Sequence, residues 1–372
     1  MSAHQEAASR PEHALACAER AKRLARVERH DDANRALDEG LRAIAGLAVP
    51  SVASVALDIA CATLHYFADR EEVSIDVLRK ACADARAIGA RSLEAECSAT
   101  LALHLLQVGR SREALVQAAH ALYLARADDH AAIYRACLAV ANMCQFEGAP
   151  SHAFPYYRRA LQAASALGDK VATRAIIARM GNEQAVEAMR LDLLGQLDDE
   201  TLKQAIVGVH GGMMWESGSV PSLEAIDRLA MAMLLRRRGD AQQADALFEH
   251  WMPRLTAAQC LDMQGSLLSE HARCRLALGD HEGAQDLALR ARDLIERDDA
   301  SATRARLLDN VAVVLRACAH RDTDAVAAEA RLALERAQRQ REARMVELEA
   351  QWAALRLGEW LAWRPAADPT SD

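Results

Sequence analysis

The chain has 372 residues, a net charge of −8, 51% hydrophobic residues and only 4% aromatic residues. It contains 81 alanines but 17 glycines. Because alanine loses no side-chain entropy in a helix, this composition predicts an all-α protein and disfavours a β-rich or α/β enzyme core. The acidic net charge also disfavours non-specific nucleic-acid binding, which usually needs a basic domain.

The N-terminus and the cysteines predict a cytoplasmic protein. The first residues, MSAHQEAASRPEHALACAER, are polar and mixed in charge, unlike a secretory signal. No uninterrupted apolar stretch approaches about 18 residues, so we expect no membrane partner. The nine cysteines include no C-x-x-C pair and lie mostly in apolar helical runs, which is typical of free thiols in a reducing compartment.

Small residues recur about every forty positions along the chain. The first series is Ala21, Ala62, Ala102, Ala141, Gly181, Ala232, Ala272 and Ala312, with spacings of 41, 40, 39, 40, 51, 40 and 40. Twelve positions after six of these, a second series opens the following helix at Ala33, Ser74, Ala114, Ala153, Ala244 and Ala284. Helices approach closer than about 8–10 Å only where side chains are small. The two series therefore predict about eight helical hairpins.

This pairing of small residues resembles the tetratricopeptide repeat across nearly the whole chain. The segments that carry the resemblance are Ala102–Ala114–Ala118–Ala121, Ala141–Ala153–Tyr157–Ala160, Ala232–Ala244–Phe248–Trp251 and Ala272–Ala284–Ala288–Ala291. The resemblance implies a right-handed α-solenoid whose first helices line a concave groove. The period of about 40, against the family's usual 34, is similar to the lengthened repeats of bacterial regulatory and sensory proteins.

We predict a repeat array over 1–323, a long C-terminal helix over 324–363 and a disordered tail over 364–372. The 51-residue spacing predicts an insertion near 208–222. Two interpretations of this insertion stay open: it is a binding loop, or it is an ordinary connector. There Gly208, Gly211, Gly212 and Gly218, followed by Pro221, are expected to end one helix and delay the next.

The predicted C-terminal helix carries a short apolar stripe. Met345, Leu348, Trp352 and Leu355 follow 3-4-3 spacing, and Trp360 lies beyond them. Two interpretations stay open: the helix forms a homodimer or docks a partner, or it caps the preceding repeat.

The sequence contains none of the common motifs for catalysis, metal binding or cofactor binding, so we expect a non-enzyme without a cofactor. There is no H-E-x-x-H, no histidine pair at i, i+4 with an acidic third ligand, no G-x-S-x-G and no phosphate-binding loop. Paired aspartates sit where turns and helix starts are expected.

The predicted groove residues are rich in arginine. They are Arg135, Asn142, Gln145, Arg179, Asn182, Arg236, Arg237, Glu270, Arg273, Arg306 and Asn310. Arginine forks fit carboxylates, and in peptide-binding members of the family asparagines at such positions as Asn142 and Asn182 clamp the ligand backbone. We therefore predict a protein- or peptide-binding scaffold in regulation or signalling, with an acidic or extended partner segment. The alternatives are a merely solvated polar face, or a sensor that binds a small molecule or signal peptide and transmits a change through the C-terminal helix.

Overall fold

A computed structural model describes residues 3–213, 221–255, 257–295 and 302–362, and within these ranges every regular element is helical. The prediction of an all-α fold is confirmed. The helices are α1 (Ala3–Ala25), α2 (His30–Ile44), α3 (Val52–Phe67), α4 (Glu71–Ala87), α5 (Arg91–Gln107), α6 (Ser111–Leu124), α7 (His130–Phe146), α8 (Pro150–Ala166), α9 (Lys170–Leu193), α10 (Asp199–Met213), α11 (Pro221–Arg237), α12 (Ala241–Trp251), α13 (Ala257–Ala277), α14 (His281–Asp293), α15 (Ala302–Ala317), α16 (Thr323–Ala354) and α17 (Leu357–Ala362). A 3-10 helix, Met252–Arg254, follows α12.

Helices α1 to α16 pair in chain order into eight hairpins, as the repeat predicts. The small residues of both series are buried in them. In the second hairpin, the Ser74 hydroxyl on α4 donates a 2.8 Å hydrogen bond to the Ala62 carbonyl on α3. Because this bond joins one member of each series, it shows directly that the two small residues face each other where the helices meet.

The turn inside each hairpin repeats one backbone device. One residue per turn has a positive φ: Glu28, Asp69, Gly109, Gly148, Gly195, Gly239, Gly279 and Ala319. The next residue donates its N–H to the carbonyl five positions back, as from Arg110 to Leu105 at 2.9 Å and from Asp240 to Leu235 at 2.9 Å. This is the Schellman arrangement, which satisfies carbonyls that a helix end leaves unpaired. The repeat is therefore present in the backbone as well as in the sequence.

The chain divides into two compact units. Unit 1 takes in residues 1–173 and 348–372, and unit 2 takes in residues 174–347. The core of unit 1 includes Leu57, Leu78 and Tyr156, and that of unit 2 includes Leu229 and Phe248; all five are almost fully buried.

The repeat with the 51-residue spacing contains extra residues, and not all of them lie in the predicted insertion near 208–222. The positive-φ turns at Gly148, Gly195 and Gly239 are 47 and 44 residues apart. These spacings exceed the 40-residue period by seven residues before Gly195 and by four residues after it. Helix α9 accounts for the first group, because it has 24 residues where α7 has 17.

The prediction that Gly208, Gly211 and Gly212 end a helix is wrong, because α10 continues through all three to Met213. Gly218 lies outside the described residues. A Cβ on Gly181 of α9 would lie 2.4 Å from the carbonyl oxygen of Gly208, and one on Gly212 would lie 3.0 Å from the Ala178 Cα. These glycines let α9 and α10 pack backbone against backbone, which any larger side chain would prevent.

The C-terminal stretch also differs from its prediction as one helix over 324–363. Helix α16 ends at Ala354, Arg356 takes a positive φ, and α17 follows with Gly358 inside it. The predicted tail, 364–372, lies outside the described residues.

Replacing Gly181 by alanine tests the α9–α10 contact. We expect Gly181→Ala to lower the free energy of unfolding by about 1–3 kcal/mol, because the new methyl group collides with rigid backbone. Gly211→Ala is the matched control in the same hairpin, since a Cβ there meets only the Ile177 Cγ2 atom at 3.8 Å. It should be neutral or stabilising by up to about 1 kcal/mol. Urea unfolding measures both, and equal stability of the two variants would contradict the close approach.

Candidate functional site

All eleven predicted groove residues lie on the first helices of hairpins, but they fall into different units. Arg135, Asn142 and Gln145 lie on α7 in unit 1. The other eight lie on α9, α11, α13 and α15 in unit 2. Each unit gathers its own polar cluster, and the two are described separately.

In unit 1 the polar residues gather around the carboxylate of Glu96 on α5. Its Oε1 atom accepts hydrogen bonds from Lys22 Nζ at 3.0 Å and from Arg135 Nη1 at 3.1 Å. Nearby, Arg26 Nη1 lies 2.5 Å from Asp169 Oδ2, and its Nη2 donates to the Tyr134 hydroxyl at 3.0 Å. We call Lys22, Arg26, Glu96, Tyr134, Arg135 and Asp169 the Glu96 cluster.

The charge state of Glu96 follows from this geometry. Burial acts to raise its pKa, but the positive charges of Lys22 and Arg135 outweigh burial and lower the pKa to about 2. Lys22 and Arg135 are themselves only 4% and 6% exposed. The interior of unit 1 thus holds one ionised carboxylate between two buried cations, an arrangement that is stable only while all partners are present.

The Glu96 cluster lines a pocket of about 700 Å³ in unit 1. Its charged lining residues are the cations Arg20, Lys22, Arg23, Arg26, Arg135 and Lys170 and the acids Glu19, Glu96 and Asp169. Six cations against three acids leave an excess of three positive charges in the lining, and one of these cations, Arg20, is also paired with Glu39, which lies outside the lining. Apolar side chains, including Leu24, Val27 and Leu167, complete the wall. The pocket is therefore shaped and charged for an anionic ligand with some apolar surface.

Asn142 and Gln145 are held by a tyrosine. The Tyr157 hydroxyl lies 3.0 Å from Asn142 Oδ1 and 2.8 Å from Gln145 Oε1. Asn142 is buried, so its position serves the α7–α8 hairpin, and neither residue lines the pocket.

In unit 2 the predicted residues gather around Glu270 on α13. Arg236 and Arg237 each reach this carboxylate at 2.8 Å, and Arg306 lies 3.7 Å from it. Although burial acts to raise the pKa of Glu270, the charges of Arg237 and Arg236 hold that pKa far below its usual range. Asp192 on α9 adds a second carboxylate, 2.8 Å from Arg237 Nε.

Two more predicted residues extend this network. Arg273 donates to Asn310 Oδ1 at 3.2 Å, and Asn310 donates to the Ser269 hydroxyl at 3.2 Å. The cluster is largely interior, since the Glu270 side chain is fully buried. Arg236, Arg237 and Arg273 are thus matched with acids and amides of the same unit.

Arg179 and Asn182 stand apart from both clusters. Arg179 is exposed on α9. Asn182 donates to Asp227 Oδ1 on α11 at 3.2 Å. Asn142 and Asn182 therefore occupy corresponding repeat positions but have different partners.

The end of the C-terminal stretch packs on unit 1. Trp360 Nε1 donates to the Leu122 carbonyl of α6 at 3.0 Å, and the Tyr156 hydroxyl of α8 donates to the Leu357 carbonyl at 2.8 Å. The Trp352 ring meets the Tyr156 ring edge-on, with centroids 5.1 Å apart.

Of the predicted apolar stripe, Leu348 and Trp360 are buried, and Met345, Trp352 and Leu355 are half-buried. Unit 1 therefore covers the end of this stripe through α6 and α8. The capping interpretation named the preceding repeat, whereas Trp360 and Leu357 contact α6 and α8 of earlier hairpins. The homodimer stays a prediction.

Sequence reasoning missed Lys22, Glu96 and Asp169. The local sequence gives no distinctive signal for Glu96, because Glu94 lies only two positions before it on the same helix. The partner of Glu96, Lys22, is 74 residues away in the sequence, and no local pattern links the two.

Within the described residues, no helix combines the length and the apolar character that a membrane span requires.

No model of a known protein family matches this chain, and no curated protein matches it in sequence. Among solved structures, it is similar to PilF of Pseudomonas aeruginosa, with 18% identity and a TM-score of 0.41 over 69% of this chain and 99% of that one. It is also similar to Ton1535 of Thermococcus onnurineus, with 16% identity and a TM-score of 0.33 over 84% of each chain. At these values neither likeness bears on function.

Removing the charge of Glu96 tests the cluster. We expect Glu96→Gln to lower the free energy of unfolding by about 3 kcal/mol near neutral pH, because two buried cations lose their counter-charge. A carboxylate whose pKa is lowered by folding stabilises the protein above its unfolded pKa and loses that effect as the pH falls. The difference from the original protein should therefore shrink between about pH 5 and pH 2.

Urea unfolding at a series of pH values measures this difference. The control is Asp38→Asn, an exposed acid on α2, which should change stability by about 0.5 kcal/mol or less. If Glu96→Gln lowers the free energy of unfolding by the same amount at every pH down to 2, then folding does not lower the pKa of Glu96.

Proposed function

We propose that this chain is a non-catalytic, tetratricopeptide-like scaffold that binds an acidic protein segment in the pocket of unit 1. The observation that carries the proposal is the excess of positive charge in the lining of a pocket of about 700 Å³. The eight hairpins support the repeat architecture, whose members commonly bind other proteins.

The buried and exposed cations of the pocket have different roles in this proposal. Lys22 and Arg135 are already committed to Glu96, so they set a positive potential without being free to move. Arg23 and Lys170 are exposed at the pocket. Their side chains can turn to meet carboxylates of a partner, and Arg23 can do so with two parallel hydrogen bonds.

The apolar part of the pocket adds to this recognition. Val27 and Leu167, both exposed, lie beside the cations. A partner segment that alternates acidic and apolar side chains would bury these groups while pairing its carboxylates with the cations.

The same chemistry argues against proton-transfer catalysis here. A general base works best when its pKa lies near the operating pH. The pKa of Glu96 is about 2, so this carboxylate is a weak base at neutral pH. The pocket is better suited to recognising charge than to moving protons.

A second candidate is a sensor for a small anionic ligand. The pocket volume favours it, because sites for small molecules usually enclose about 300–1,000 Å³. We place it second, since the exposed cations at the pocket suit an extended ligand that reaches beyond it.

A binding measurement with the full chain tests the proposal. The probe is a fluorescent peptide of about ten residues that alternates Asp or Glu with Leu, compared with the same peptide carrying Asn and Gln. We expect the acidic peptide to bind at least about tenfold more tightly and to weaken with added salt. Arg23→Glu combined with Lys170→Glu should reduce its affinity at least about tenfold.

The matched control is Lys203→Glu with Arg321→Glu, two exposed cations of unit 2 whose reversal changes the net charge equally. Equal losses in the two double variants would mean non-specific attraction and would overturn the pocket assignment. If neither peptide binds, but citrate or inorganic phosphate raises the unfolding temperature only while Arg23 and Lys170 are intact, the sensor replaces the scaffold.

A further inference from the structure

Three side chains of different metal-binding chemistry meet on the first hairpin, beside Arg20 of the pocket lining. His13 and Cys17 lie on α1 and Glu39 lies on α2. The His13 Nε2 atom is 3.7 Å from Cys17 Sγ and 2.9 Å from Glu39 Oε1. The three ligand atoms all lie within 4.8 Å of one another.

We propose that His13, Cys17 and Glu39 bind a zinc ion, with the fourth coordination position left to water or to an external ligand. Imidazole, thiolate and carboxylate are the groups that zinc takes from proteins. Bonds of about 2.0–2.3 Å in a tetrahedral site place neighbouring ligand atoms roughly 3–4 Å apart. The observed separations need only small side-chain rotations to reach that geometry.

The backbone at this site is held by packing. His13 and Cys17 are four positions apart, so they project from the same face of α1. Beside Glu39, a Cβ on Gly40 would lie 3.1 Å from the Cys17 Cβ and 2.5 Å from Leu57 Cδ2, so the helices already touch there. A site on rigid helices loses little conformational entropy when the ion binds.

A further contact ties the same two helices together. The Arg10 guanidinium on α1 donates to the carbonyls of Ala43 at 2.9 Å and Ala45 at 2.7 Å, at the end of α2. The relative position of α1 and α2 is therefore fixed both at the ligands and at the end of α2.

Arg20 is the group that a metal ion would displace. It forms an ion pair with Glu39 and lies 4.0 Å from Cys17 Sγ. Its side chain is 47% exposed, so it can turn toward solvent when the ion takes its place. Arg20 thus competes with zinc for the same carboxylate, and its removal should strengthen zinc binding.

Metal titration of the full chain, after treatment with a chelator, tests this site. Zn²⁺ affinity is measured by calorimetry, and Co²⁺ serves as a spectroscopic probe because a cobalt–thiolate bond gives a charge-transfer absorption. We expect one site with that absorption. His13→Asn should weaken Zn²⁺ binding at least about tenfold, whereas Arg20→Gln should tighten it severalfold.

Cys17→Ser should abolish the charge-transfer absorption, and Cys318→Ser is the matched cysteine control that should retain it. Since Cys17 is a core residue and its replacement risks unfolding, the exposed His13 variant provides an independent readout. Cobalt binding without thiolate absorption, or Zn²⁺ affinity unchanged in both His13→Asn and Arg20→Gln, would overturn the proposal. Neither result depends on whether the pocket of unit 1 binds acidic peptides.

Discussion

The contact between small residues inside each hairpin is the constraint on which the rest of this protein depends. Where Ser74 reaches the Ala62 carbonyl at 2.8 Å, both residues are fully buried between the two helices. Each turn then leaves its first helix through one left-handed residue and one hydrogen bond to the carbonyl five positions back. The central buried charges of both clusters lie on the first helices of these hairpins, as Glu96 and Arg135 do in unit 1 and Arg237 and Glu270 do in unit 2.

Those buried charges are arranged in one way in both units. A single carboxylate, Glu96 in unit 1 and Glu270 in unit 2, stays ionised because arginine or lysine side chains surround it. Burial alone would neutralise an isolated carboxylate, so each cluster exists only as a whole. The units differ in what remains: in unit 2 Arg236 and Arg237 are matched by acids of the same unit, whereas the pocket of unit 1 keeps surplus positive charge.

Glycine has two distinct uses here, and sequence alone does not separate them. Gly109 and Gly239 take a positive φ in turns, where their lack of a side chain matters for the backbone. Gly181 and Gly208 lie inside helices and matter because two backbones approach there. A cluster of glycines is typical of a loop, and the tight packing of α9 against α10 shows why that interpretation failed for Gly208 and Gly212.

The sequence by itself determined the helical class, the number of hairpins and the small residues at their contacts. These follow from composition and from a forty-residue period, both of which are local and can be read along the chain. Tertiary structure alone decided which charges pair, because Arg26 meets Asp169 across 143 residues and Lys22 meets Glu96 across 74. It also brought His13 and Cys17 beside Glu39. A side chain's partner depends on which distant segments the packing brings together, and no spacing within one helix records that.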